Sequence, residues 1–219
     1  APVAGVFQET IDGAAYLLAM VLPATTPVQS TPPRDIIFVL DRSGSMAGDS
    51  IRQAKQAIRM ALDRLRPVDR FNIIRFSSET DQLFKGLRDA SPFNLISARN
   101  TLEKTDANGG TKMAPALKLA LSDKGREGRL KQIVFLTDGA VGNEEELLGI
   151  IRGMLGADRL FTIGIGSAPN SYFMRQAARV GRGSFTYIGE QSEIAERMTA
   201  LFEKLEHPAM IDLRAATYD

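Results

Sequence analysis

Two short runs of this chain are apolar at every position, Ile36 to Leu40 and Ile133 to Leu136. A strand with one face in water would alternate apolar with polar. Unbroken apolar runs bounded by turn residues predict strands buried on both faces. Between the runs the period changes. Ile51, Ala54, Ile58, Ala61, Leu62 and Leu65 recur at helical spacing, and Ser50 with Gln53 three residues on predicts a capping box at that helix's start. Strands follow over Phe71 to Phe76 and around Asp81 to Phe84. Ser91-Pro92 opens a helix running to about Leu102, and Asn108-Gly109-Gly110-Thr111 reads as a flexible loop before a helix bearing Leu117, Ala120 and Leu121. Beyond the second apolar run, Asn143 is positioned to cap a helix whose first turn carries Glu144, Glu145 and Glu146, favourable for the helix dipole. A strand over Arg159 to Ile165, a helix over Ser171 to Val180 stopped by Gly181 and Gly183, and a strand over Ser184 to Ile188 come next. A final helix from Ser192 to about Glu206 aligns Ile194, Met198, Leu201, Phe202 and Leu205.

Strands alternating with helices predict an α/β fold. The expected form is a doubly wound, mostly parallel, Rossmann-like sheet of order 3-2-1-4-5-6, with one short antiparallel edge strand and helices on both faces. The domain is expected to span residues 34–206. Residues 1–33 form a flank: a polar lead-in to residue 13, a strand over about 15–22, and a Pro-rich linker. Residues 207–219 are expected to be extended again. The apolar stretch Ala14 to Leu22 is far too short to span a membrane. Acidic Glu9 and Asp12 precede it where a signal peptide would be basic. Both ends read as mid-protein sequence, so the expectation is a piece of a longer chain with neighbouring domains.

Composition then narrows the chemistry. The 219 residues carry a formal net charge of +1 with no basic run, which argues against nucleic acid or an anionic membrane as the main partner. The absence of cysteine removes disulfides, thiolate metal sites and cysteine nucleophiles. The one histidine, His207 beside Pro208, rules out a multi-histidine metal centre, and its ordinary reading is an exposed linker residue.

The first buried strand ends in Asp41-Arg42-Ser43-Gly44-Ser45. One carboxylate and two hydroxyls at i, i+2 and i+4 can converge on one point in extended or looping backbone. An oxygen-only set suits a hard cation such as Mg²⁺, Mn²⁺ or Ca²⁺, not zinc. Arg42 falls between the candidate ligands and is expected to be dispensable for cation binding. In the predicted strand order, the strands ending in Asp41 and Asp138 are neighbours at the reversal point, where open α/β sheets bind ligands. Taken singly, the serines could cap a helix or form a turn, and Asp138-Gly139 could be an ordinary turn. Glu144 to Glu146 read as a solvated helix start, and Met154, Met174 and Met198 as core. A phosphatase of the haloacid-dehalogenase type also places an aspartate after a buried strand. It needs a second aspartate two residues on as general acid, where this chain has Ser43. Gly164-Ile165-Gly166 half-matches a dinucleotide fingerprint but lacks its third glycine.

Asp41-Arg42-Ser43-Gly44-Ser45, Gly109-Gly110-Thr111 and Thr137-Asp138-Gly139 together resemble the metal-ion-dependent adhesion site of von Willebrand factor type A domains, over roughly Arg34 to Glu206. The wider sequence, from FVLDRSGSM through FLTDG to LFEKLEHP, is similar to inter-alpha-trypsin inhibitor heavy chains and bacterial relatives with a VIT domain before the type A domain, among them sortase-anchored surface proteins of marine proteobacteria. The resemblance implies an adhesion-type, non-enzymatic domain that is secreted or on the cell surface. It implies that Ser43 and Ser45 bind a divalent cation directly, Mg²⁺ first with Mn²⁺ or Ca²⁺ as alternatives. Thr111 would join in the ligand-competent state, and Asp41 and Asp138 would act through bound waters. A Glu or Asp carboxylate of a partner protein would fill the sixth position, with movement of the Thr111 loop and of the last helix. It further implies that the flanking strands near Tyr16 to Leu22 and Met210 to Tyr218 lie close together in a neighbouring β module. A module that serves only as a spacer in a larger protein is the alternative.

Overall fold

The computed structural model describes residues 3–22, 32–139, 142–166 and 169–206. Contacts divide the chain into two compact units, one of them Pro32–Leu205 and the other containing an N-terminal hairpin. In the larger unit, strands β3 (Arg34–Asp41), β4 (Arg70–Phe76), β5 (Thr80–Gln82), β6 (Arg88–Asp89), β7 (Leu130–Thr137), β8 (Arg159–Ile165) and β9 (Arg182–Ile188) alternate with six helices. These are α1 (Asp49–Asp63), α2 (Pro92–Glu103), α3 (Met113–Ser122), α4 (Glu144–Met154), α5 (Ser171–Val180) and α6 (Ile194–Glu206). The sheet order is β5-β4-β3-β7-β8-β9, with β6 also pairing β4. Counted from the first core strand this is the expected 3-2-1-4-5-6. The contacts of β3, β4, β7, β8 and β9 are parallel, while β5 and the two-residue β6 run antiparallel to β4.

The unbroken apolar run of β3 follows from its central position. Successive side chains of a strand point to opposite faces, so both faces of this one need covering. Ile36, Phe38 and Leu40 pack with Ala54, Ile58 and Leu62 of α1 and Met198 and Phe202 of α6. Ile37 and Val39 face the other way, toward Leu117 and Ala120 of α3, Leu147 of α4 and Met174 of α5. All five aligned apolar residues of α6 are buried.

At the amino ends of the central strands lies a buried ion-pair network. Asp69, with no exposed surface, accepts hydrogen bonds from Arg34 and Arg66, and equally buried Asp35 from Arg70 and Arg129. Arg66 also donates to the carbonyl of Pro32 at 2.8 Å, fastening the chain where it enters the domain.

Several local expectations are corrected. Residues 3–11 are not a lead-in: β1 (Val3–Ile11) pairs antiparallel with β2 (Ala14–Leu22) through Asp12 and Gly13. Both turn residues have positive φ, 51° and 81°, as a two-residue hairpin of this twist requires. Helix α1 begins at Asp49 with Gly48 in the cap position and no side-chain cap, so the Ser50–Gln53 capping box does not form. Gln53 instead faces the carbonyl of Gly189. Asn143 holds the cap position of α4 without capping through its side chain, which donates to Glu146. Met154 is exposed at the helix end, whereas Met174 and Met198 are core. His207 and the expected strand over Met210 to Tyr218 lie outside the described residues.

Candidate metal centre

The parallel register carries β3 and β7 to the same end of the sheet, Leu40 opposite Leu136. One residue further, Thr137 donates its hydroxyl to Asp41 Oδ2 at 2.5 Å, and the amide of Ser43 donates to Asp41 Oδ1 at 2.8 Å. Thr137 Oγ1 in turn accepts from the Gly139 amide at 2.9 Å, which fixes the direction of the hydroxyl toward Asp41. Asp41 is fully buried. Burial pushes its carboxyl above the ordinary carboxylate range and the nearby charge of Asp138 adds to this, while the hydrogen bonds from Ser43 and Thr137 offset part of it. A buried carboxylate held beside a second carboxylate is an arrangement that a cation would relieve.

The serines form a turn, as the ordinary reading allows, but do not cap it with a side chain. Ser43 occupies the cap position of a short 3-10 turn, Gly44–Met46, yet makes no side-chain cap. Its Oγ lies 3.1 Å from Ser45 Oγ instead. Ser43 is buried and Ser45 exposed, so the pair of hydroxyls leads from Asp41 to solvent. The segment carrying Thr111 is docked on this loop through its backbone. The amide of Asn108 donates to Arg42 O at 2.7 Å and the amide of Gly44 to Gly109 O at 2.9 Å. Thr111 is half-buried at the end of this docked segment, one residue before Lys112, whose amide donates to Ser77 O at 2.8 Å. Asp138 is half-buried, and its carbonyl accepts from the Asn170 amide at 3.0 Å. The structure thus gathers the loops bearing Asp41, Ser43, Ser45, Thr111 and Asp138 at the carboxyl ends of β3, β4 and β7. Among the described residues no group of three or more His, Cys, Asp or Glu is arranged to hold a metal. Any cation here would be held mainly by hydroxyls.

Some supporting residues were not singled out from the sequence. Thr137 was legible only as the residue before Asp138, and its role depends on which strand neighbours β7. Asn170 holds the Asp138 carbonyl, caps α5 through Phe173 N, and donates to Glu144 Oε1 at 2.5 Å. Glu144 is therefore half-buried and engaged, while Glu145 and Glu146 are exposed as expected of a solvated helix start.

A family model described as the von Willebrand factor type A domain matches residues 34–187. The chain belongs to this family. The chain is 32% identical over 203 residues to inter-alpha-trypsin inhibitor heavy chain H4 of Homo sapiens, covering 87% of this chain and 22% of the relative. Among solved structures it is similar to a von Willebrand factor type A protein from Catenulispora acidiphila, with a TM-score of 0.74 at 20% identity over 91% of this chain and 48% of that one. It is also similar to proximal thread matrix protein 1 from the mussel byssus with a zinc-occupied MIDAS motif, with a TM-score of 0.64 at 21% identity over 81% of this chain and 47% of that one. At such identities the structural likenesses speak to the fold. The chain spans only 15% to 22% of the length of the curated relatives it matches.

Proposed function

We propose that residues 34–206 form a divalent-cation-dependent protein-binding domain of adhesion type, without catalytic activity, in a larger secreted or surface protein. The observation that carries this reading is the Ser43–Ser45 hydroxyl pair, unspent on helix capping and set beside the buried Asp41. Ser43 and Ser45 would hold the cation directly, Thr111 would join them from its docked loop, and Asp41 and Asp138 would supply charge at longer range. The bound cation would supply Lewis acidity toward an incoming oxygen ligand. With two formal negative charges and otherwise neutral hydroxyls, the donor set leaves demand for a further anion, which suits a Glu or Asp side chain of a partner. A site built only of carboxylates would leave none. Ser43 in place of a second aspartate leaves the position of a phosphatase's general acid without a group that transfers protons near neutral pH.

The oxygen-only set favours Mg²⁺, with Mn²⁺ or Ca²⁺ as alternatives; the zinc-occupied mussel relative makes Zn²⁺ the competitor to include. The test is calorimetric titration of Mg²⁺, Mn²⁺ and Zn²⁺ into chelator-treated protein, beside Asp41→Ala. Saturable binding lost in the variant is expected. Unchanged Mg²⁺ affinity in folded Asp41→Ala would overturn the site, and absence of binding to wild type would favour a spacer module.

A further inference from the structure

Arg42 lies between two candidate ligands, and its side chain reaches away from them across to the loop that carries Thr111. Its Nη1 donates to Asn108 Oδ1 at 3.1 Å, while its own carbonyl accepts from the Asn108 amide at 2.7 Å. Asn108 is thus gripped at both ends by one residue. The arginine is itself held from behind. Its guanidinium lies 3.6 Å from Asp81, which Arg75 of β4 approaches at 2.8 Å, and Arg75 Nη1 donates to Thr105 Oγ1 just beyond α2.

The far side of the same loop has a second tether. The amide of Gly110 donates to Ser78 Oγ at 2.8 Å. Gly109 between the tethers has φ +75°, and a Cβ there would sit 2.9 Å from Ser78 Oγ. Glycine alone allows the loop to approach this closely. Two side-chain tethers therefore bracket the residues leading into Thr111, one from β3's end and one from β4's. Of these only Arg42 ties the loop to the segment that carries Ser43 and Ser45.

We propose that Arg42, through Asn108, is the positioning residue that sets the Thr111 loop against the Ser43–Ser45 pair, so that the cation site is assembled from two segments in fixed relation. The inference rests on the proposed cation site and departs from the expectation that Arg42 is dispensable there. Electrostatics and positioning make opposite predictions. A guanidinium near a cation repels it, so its removal should tighten binding if charge were its only influence. If Arg42 positions Thr111, its removal weakens binding, as loss of an outer partner of a metal ligand does by about 10- to 100-fold.

The experiment measures Mn²⁺ affinity by calorimetry in wild type, Arg42→Ala, Asn108→Ala, Thr111→Ala and the double variants with Thr111→Ala. It adds amide hydrogen exchange on the chelator-treated proteins. The expected result is a loss of about tenfold in Arg42→Ala and in Asn108→Ala, with little further loss when either is combined with Thr111→Ala. Exchange should quicken at Asn108 and Gly44 while core amides of β3 stay protected. Because Asn108 is an exposed loop residue, its variant keeps the test valid should Arg42→Ala fold poorly. Unchanged or tighter binding, or losses that multiply with Thr111→Ala, would overturn the proposal. Should wild type bind no Mn²⁺, the cation reading itself fails. Exchange then decides the tether alone, and unchanged rates at Asn108 and Gly44 would overturn it.

Discussion

Asp69 sits with no exposed surface at the start of β4, and six N–H groups of Arg34 and Arg66 point at its two oxygens between 2.7 and 3.3 Å. Burial by itself would raise its pKa, but the hydrogen bonds from Arg66 and Arg34 outweigh it and hold the carboxyl well below the usual range. Replacing it leaves the buried Arg34 guanidinium without its carboxylate, a mechanism that costs about 3–5 kcal/mol. The sign with pH follows from linkage. A carboxyl depressed in the folded state contributes fully above its unfolded pKa of about 3.9, and that contribution fades as pH falls toward the folded value. Urea unfolding of wild type and Asp69→Asn at pH 7, 5, 4 and 3 should show a gap of that size near neutrality, narrowing below about pH 4. A gap that stays constant across the series would mean that ionised Asp69 is not what the arginines hold. Asp41 is the contrary case at the other end of the sheet. Its carboxyl is raised by burial, so it opposes folding when ionised without a counter-charge. Asp69 finds its counter-charge in the arginines, whereas Asp41 is held by hydrogen bonds from Ser43 and Thr137 and, on the proposed reading, would find its counter-charge in the cation.

At the scale of elements, helix α2 gives a clean test of local coding. Its apolar pattern is weak, and Phe93 and Ile96 are exposed. Its start is nevertheless marked by Ser91, which accepts from the Asn94 amide at 3.3 Å, with Pro92 in the first turn. Ser91→Ala should cost about 1 kcal/mol, read as a lower urea midpoint, with cation affinity unchanged because the cap lies on a different loop. Loss of cation binding in this variant would show that α2 is coupled to the site. The contrast with α1 explains where sequence reading succeeds. Ser91-Pro92 is a strictly local signal and was legible. Ser50-Gln53 carries the same local pattern, but the cap position falls two residues earlier, at Gly48, whose φ of 79° is not helical, and Gln53 is drawn toward Gly189 across the fold. The central strands were legible because burial on both faces leaves no polar position to confuse the period. Strand β1 was not, since Gln8, Glu9 and Thr10 dilute its apolar residues; the overlooked signal was the Asp12-Gly13 dipeptide. For the site, the residue types of Asp41, Ser43, Ser45, Thr111 and Asp138 could be read along the chain. The Thr137 hydroxyl on Asp41 and the Arg42 grip on Asn108 could not, because each depends on which segments become neighbours.

For the whole molecule, the candidate site and the ion-pair network occupy opposite ends of the same two central strands. Strand β3 runs from Asp35 in the network to Asp41 in the site, and β7 lies beside it throughout. Neither strand can leave the sheet without dismantling both cores. A cation held by loops at their carboxyl ends should therefore bind only the folded domain and stabilise it globally by mass action. The gain is RT ln(1 + [L]/Kd), about 2.7 kcal/mol at a hundred times Kd. Urea unfolding in chelator and in Mg²⁺ at that excess should separate by this amount in wild type, and the curves of Asp41→Ala should superimpose. Equal gains in both proteins would place the cation elsewhere on the domain. No gain in a wild type that binds Mg²⁺ by calorimetry would mean that the site persists when the central strands unfold, which the burial of Asp41 at the end of β3, hydrogen-bonded by Thr137 of β7, does not allow.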